Sequence, residues 1–317
     1  MTTDEFKTLL DRTGALQESQ PLIELTCPLL RETVNKATWV FDSCFNSEDS
    51  QVGGVNEDVA AMTLFRHMIE LIDGVEVLFS ASCVGASAPL LRAAFEASLS
   101  LDYIFQTDYT RRSLCWTCGY LHDRIGSQQL IDSSTDVGRE FRRAREQMGA
   151  YEPSTYNSGP DVERLKLVLA TPSLAPIEVE YQRVRRLRKR RPHWFQLFDG
   201  PRDRRALASM VGREAEYLSF YREWSAFSHA TDARPYLRPG NLPGRPAFVA
   251  LRHPGEMQYG ASMALSCILK AMRLTIAHFR PDSSLSEWYE RDIKPGWHRL
   301  RNLRVEIAER EAPPDGR

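Results

Sequence analysis

The chain has 317 residues, 42% of them hydrophobic and 26% charged, with 41 Lys and Arg against 42 Asp and Glu. That length supports one elaborate domain or two closely packed ones, and the composition excludes wholesale disorder. A formal net charge of −1 excludes a protein that coats nucleic acid with its whole surface, while leaving room for a local basic patch.

The first ten residues carry Asp4 and Glu5 and lack a basic start followed by an apolar run, so no secretory signal is visible and a cytoplasmic location is expected. Helices are predicted at Asp4–Arg12 and Leu22–Cys44. From Val59 to Phe79 the series Met62, Phe65, Ile69, Ile72 and Val75 follows helical spacing, with Asn56 as its cap. A helix from Ala86 to Phe105 carries Leu90, Leu91, Ala94, Phe95, Leu99 and Tyr103, and another covers Arg111–Gln128. Further helices are predicted at Val137–Met148, Asp161–Ala170 and Ile177–Arg191, the last ending before Pro192. Arg202–Val211 and Arg213–Ser228 follow the same spacing. Five prolines between Asp232 and Pro254 break continuous helix, and Ala247–Leu251 reads as one short strand. Glu256–Phe279 and Leu285–Glu311, the latter broken at Pro295, complete an all-α multi-helix bundle with a proline-rich loop insertion. Three segments are expected: 1–55, a core at 56–231, and 232–317 packed on that core.

The longest apolar stretch, Tyr259–Phe279, is interrupted by Lys270 and Arg273, which predicts a buried helix and no contact with a membrane. The six cysteines are dispersed through a large chain and read as reduced thiols. Cys115 and Cys118 form a CxxC with His122 at helical spacing, but a fourth ligand is missing nearby, so no metal or other cofactor is expected. No GxSxG, HExxH, Walker A or GxGxxG motif occurs.

The most specific chemistry lies in Tyr217–His229. At 3.6 residues per turn, Ser225 and His229 fall about 60° and about 20° from Arg222 on the helical wheel, so the three share one stripe. Arginine holds phosphate by bidentate hydrogen bonds, and imidazole moves protons near neutral pH. The same stripe also serves a structural lock, with Tyr221 and its aromatic neighbours in a core. Arg92 and Glu96 stand at i and i+4 on an apolar helix, where they form an internal pair or support the Arg222 site. Arg66, His67 and Glu70 read as a solvated face. The run Arg183, Arg185, Arg186, Arg188, Lys189, Arg190 and Arg191 puts seven cations in nine residues, followed by His193, Trp194 and Phe195. Such a run is either a solvated helix end or a surface for RNA, with Trp194 stacking on unpaired bases.

The pattern of Leu90 to Glu96, then His193-Trp194-Phe195, then Tyr217 to His229 resembles the bacterial family known as domain of unknown function 5677, over roughly Val59 to Thr231. More loosely, the six residues between Arg222 and His229 resemble the Arg-x4–6-His motif of the HEPN superfamily. That second resemblance implies a metal-independent ribonuclease and a homodimer with two converging Arg–His pairs, in which Arg222 stabilises the pentacoordinate phosphate and His229 transfers the proton. Two other readings stand beside it: a non-catalytic helical interaction module, and a sensor that holds an anionic ligand or nucleotide through Arg92 and Arg222.

Overall fold

The computed structural model describes residues 9–46, 55–149, 156–221, 237–239, 246–248, 250–280 and 284–302, with backbone alone at 55–56, 237–239 and 246–248. In chain order the helices are α1 (Arg12–Phe41), α2 (Val55–Ser80), α3 (Val84–Gln106), α4 (Tyr109–Ile131), α5 (Asp136–Gln147), α6 (Gly159–Leu169), α7 (Ala175–Arg188), α8 (Arg204–Met210), α9 (Glu214–Glu216), α10 (Met257–Phe279), α11 (Ser286–Trp288) and α12 (Lys294–Asn302). The expected all-α bundle is the observed class. The proline-rich region contributes a small antiparallel pair, β1 (Leu237–Pro239) and β2 (Pro246–Phe248), with Leu237 opposite Phe248. The strand expected at Ala247–Leu251 is thus displaced toward Pro246.

The described residues divide into two compact units: those of 1–52, 62–105 and 211–317, and those of 53–61 and 106–210. In the first unit α1 packs along α10, and α12 lies against both. The N-terminal helix and the C-terminal helices therefore share one core. Gly296 lets α12 approach α1, since a Cβ there would stand 2.6 Å from Leu29 Cδ2. Between α2 and α3, Ser82 takes a left-handed φ of 58° and its hydroxyl donates to Ala15 O at 3.1 Å, tying the turn to α1.

Several helix ends differ from the sequence expectation, each for a local reason. α1 starts at Arg12 rather than Leu22, because Asp11 caps it by accepting from the Gly14 amide at 2.9 Å and the helix runs through Pro21 and Pro28. The part of the predicted Asp4–Arg12 helix before Leu9 lies outside the described residues. α2 begins at Val55, which places Asn56 in the first turn and not at the cap. α7 stops at Arg188 rather than Arg191, with Lys189 turning the chain at a left-handed φ of 53°. Pro295 does not break the last helix: a wide π turn at Tyr289–Ile293 directly precedes it, where a looser turn accommodates the missing amide donor. α10 is long and apolar enough to span a bilayer by length and composition, but 61% of its apolar window is buried inside the protein.

The second unit packs α4 against α6 and α7 around Leu114, Cys118, Leu121, Ile177, Tyr181 and Leu197. The turn between α4 and α5 is held by Asp132. One of its carboxylate oxygens accepts from the amide and hydroxyl of Ser134 at 2.8 and 2.7 Å; the other accepts from the amide and hydroxyl of Ser158, both at 2.7 Å. The side-chain donors of Ser134 and Ser158, then their amides, hold this carboxyl well below the usual carboxylate range. Because the folded pKa is depressed, the contribution is fully present above about pH 4, the unfolded value, and is lost as pH falls through the folded one. Amide exchange at Ser134 and Ser158 is therefore expected to accelerate in strong acid beyond its chemical rate, and Asp132→Asn should remove that acid dependence.

Candidate functional site

Three residues of the predicted Arg222 site come together at the junction of α3 and the π turn Tyr217–Tyr221, which continues α9. Arg92 Nη2 donates to the Tyr221 hydroxyl at 3.1 Å, and that hydroxyl donates to Glu96 Oε1 at 2.8 Å. Arg92 Nε closes the triangle on Glu96 at 3.3 Å, and its guanidinium carbon stands 4.9 Å from the centre of the Tyr221 ring. Burial works against the Arg92 charge, but Tyr221 and Glu96 outweigh it and hold the guanidinium above its usual range. The arginine and glutamate keep about a quarter of their side-chain surface in solvent, so the triangle is a partly open polar cluster. Arg222, Ser225 and His229 lie outside the described residues. Arg66 and Glu70 form an exposed 2.7 Å pair and His67 is exposed, as a solvated face requires.

The basic run straddles the end of α7. Arg183 is occupied by Glu180 at 2.6 Å, and Arg191 lies 3.7 Å from Asp123. Arg185, Arg186, Arg188, Lys189 and Arg190 form no ion pair among the described residues. Directly after them, Arg191 to Trp194 cross α4 beside a groove of about 320 Å³ lined by Trp116, Tyr120, Tyr181, His193 and Trp194. Trp116 and Tyr120 stack with rings 5.7 Å apart and 3° from parallel. Gly119 favours this crossing, since a Cβ there would stand 3.1 Å from Trp194 Cβ, and the Arg191 guanidinium rests over Gly126. Sequence spacing identified the cations and Trp194 but not Trp116 and Tyr120, whose partner segment is distant along the chain.

A third cluster joins two elements of the same unit. His122 Nε2 lies 2.6 Å from Glu178 Oε2, and the Cys118 thiol donates to that oxygen at 3.6 Å. Gln182 occupies the other carboxylate oxygen at 2.7 Å, and the Tyr181 ring stacks on the imidazole at 3.9 Å. Burial opposes the Glu178 charge, but His122, Gln182 and Cys118 lower its pKa. Burial pushes the Cys115 thiol up to about 12, and burial together with Glu178 raises Cys118 further. All six cysteines are free.

Sequence reasoning missed the most enclosed charge cluster. Arg213, at the start of α9, donates to Asp102 Oδ2 at 3.1 Å and to Ser98 Oγ at 2.6 Å, and it pairs with Glu216. Its guanidinium lies 4.8 Å from the Phe95 ring centre. Lys270 of α10 reaches the same Asp102 oxygen at 2.7 Å. Only an isolated Asp102 in the apolar run Leu99–Ile104 hinted at it. Nearby along α10, Lys270 and Arg273 line a cavity of about 630 Å³ with Trp288, Tyr289 and Trp297.

The architecture is that of an all-α protein with a polar cluster, a basic aromatic groove and a thiol–imidazole–carboxylate cluster on its α3–α9 helices. The model of a family of unknown function, DUF5677, matches residues 58–241, more than half of the chain, and the chain belongs to that family. The match spans all three clusters. No curated protein and no solved structure matches the chain.

Asp102 is buried and meets two cations, the buried Arg213 and the partly exposed Lys270. Asp102→Ala is expected to cost about 3–5 kcal/mol in urea unfolding, the range for breaking a buried pair, and Arg213→Met in the same chain should restore part of that loss.

Proposed function

We propose that this protein binds single-stranded RNA through the end of α7 and the aromatic groove beside it. The observation that carries this reading is the group Arg185, Arg186, Arg188, Lys189 and Arg190, without ion pairs among the described residues, leading directly into Arg191 and Trp194 at the groove. A solvated helix end accounts for the cations alone. It does not account for a cavity with stacked Trp116 and Tyr120 at the point where the basic segment ends. Cations track a phosphate backbone, and aromatic rings take the faces of unpaired bases.

Cleavage at a second location extends the proposal: Arg222 stabilises the extra charge on phosphorus, and His229 moves the 2′-hydroxyl or leaving-group proton. Two chains would contribute one pair each, as the HEPN resemblance implies. The triangle of Arg92, Glu96 and Tyr221 supports this by fixing the residue that immediately precedes Arg222. Anisotropy with a labelled single-stranded RNA should show salt-dependent binding, with the slope falling by about 0.7 for each lost phosphate contact in Arg185→Ala and Arg186→Ala. Trp194→Ala is expected to cost about 1–3 kcal/mol if it stacks one base. Binding of equal strength in all three variants overturns the reading. Cleavage in the presence of EDTA should disappear in Arg222→Ala and in His229→Ala, and cleavage that survives both substitutions removes that extension.

The cavity on α10 favours a second reading, an anionic ligand or nucleotide held between Arg273 and the indole rings of Trp288 and Trp297. Its size falls within the range of small-molecule sites. A saturating nucleotide should raise the melting temperature of the parent chain and raise that of Arg273→Ala less; the absence of any shift excludes the ligands tested.

A further inference from the structure

We propose that Cys118, His122 and Glu178 form a site for a divalent transition metal, with zinc the ion their chemistry fits best. The two α4 residues stand at i and i+4, and the missing ligand comes from the first turn of α7, fifty-six positions beyond His122. One sulfur, one nitrogen and one oxygen make a borderline donor set that suits zinc or cobalt and disfavours magnesium or calcium. All three ligand atoms lie within 4.8 Å of one another.

The geometry is close to what such an ion needs. With bonds of about 2.0–2.3 Å in a tetrahedron, sulfur and oxygen ligands stand about 3.6 Å apart and nitrogen and oxygen about 3.3 Å apart. Glu178 Oε2 and Cys118 Sγ already stand 3.6 Å apart, while His122 Nε2 at 2.6 Å must move back from the carboxylate. Outer contacts hold the ligands in place: Gln182 occupies Oε1 and leaves Oε2 for the ion, and Tyr181 fixes the plane of the imidazole. Cys118 is fully buried, whereas Glu178 keeps 25% of its side-chain surface exposed. Three protein ligands therefore leave a fourth position for water, reached from the Glu178 side. On binding, a sulfur–metal bond forms as the Cys118 S–H bond breaks, and the proton passes to solvent. Cys115 is not among the three, so the CxxC does not act as a paired ligand. A hydrogen-bonded lock between α4 and α7 explains the contact of His122 with Glu178; it does not explain a thiol and a glutamine brought to the two oxygens of one carboxylate.

Cobalt titration of the reduced, metal-stripped full chain tests the site, and it is independent of the RNA reading, which requires no metal. The expected result is one equivalent of tetrahedral cobalt with a sulfur-to-cobalt charge-transfer band. Cys118→Ser should lose that band, Cys115→Ser should keep it, and Gln182→Ala should bind about 10–100-fold more weakly with the same spectrum. A folded parent chain that shows no tetrahedral cobalt spectrum at saturation overturns the proposal. So does a charge-transfer band that persists in Cys118→Ser. Should Cys118→Ser not fold, the parent titration and Gln182→Ala decide alone.

Discussion

The buried guanidinium of Arg213 is the constraint on which the first unit depends. A charge taken out of water is tolerated only where its donors are matched, and here Ser98 and Asp102 come from α3, Glu216 from α9 and Cys267 from α10, while Lys270 of α10 shares the same Asp102 oxygen. Two cations and two carboxylates balance locally, so the cluster carries no net charge into the core. Hydrophobic packing alone lets helices slide by a turn; an arginine fork that must meet an oxygen, a hydroxyl and a sulfur does not. The register it sets between α3 and α9 is inherited about two turns later, where Tyr221 reaches Arg92 and Glu96. The same α3 helix thus bears a closed cluster at Ser98 and Asp102 and a partly open one at Arg92 and Glu96.

In the second unit α4 divides its labour by face. Trp116, Gly119, Tyr120 and Asp123 recur at helical spacing along the groove, while Cys118 and His122 lie on the side that meets α7. Leu114, Cys115, Cys118, Leu121 and Ile125 form the buried stripe that a core helix requires, and the groove face opposite carries aromatic and polar residues. Gly119 adds the close approach of Trp194, whose Cβ would stand 3.1 Å from a Cβ at that position, and Gly126 leaves room for the Arg191 guanidinium.

How much of this was legible in the sequence follows from which forces are local. Helices α2, α3 and α4 were readable because their apolar residues recur with the period of the helix itself, and Phe65, Ile72, Phe95 and Leu99 are buried as that period demands. Ends were less legible where one side chain or one turn decides them: Asp11 starts α1 against the general expectation for proline, and Lys189 ends α7 by turning left-handed, which no spacing rule encodes. At the sites, i to i+4 partners were visible, as with Arg92 and Glu96 or Cys118 and His122. Partners from other helices were not. Glu178 is one acid among several on a charged helix, and Arg213 is an unremarked cation beside a glycine; only the packing of α7 on α4 and of α9 on α3 gives them their roles.

The distribution of acid along α7 explains how a chain with nearly balanced charge keeps a strongly basic surface. Its two buried or half-buried glutamates lie in its first half and are directed inward, Glu178 to His122 and Glu180 to Arg183 and the Phe198 amide at 2.8 Å. Neither remains for the last turn. There the helix dipole presents its negative end, which favours the cations Arg185, Arg186 and Arg188 without requiring a carboxylate to neutralise them. Folding is thereby reconciled with a basic surface that has no ion pair among the described residues: Glu178 is committed to its contacts with α4, and Glu180 to Arg183 and the Phe198 amide. An anion arriving at the end of α7 meets cations with no internal competitor among the described residues, and it does so where the chain turns, at Lys189, toward the aromatic groove.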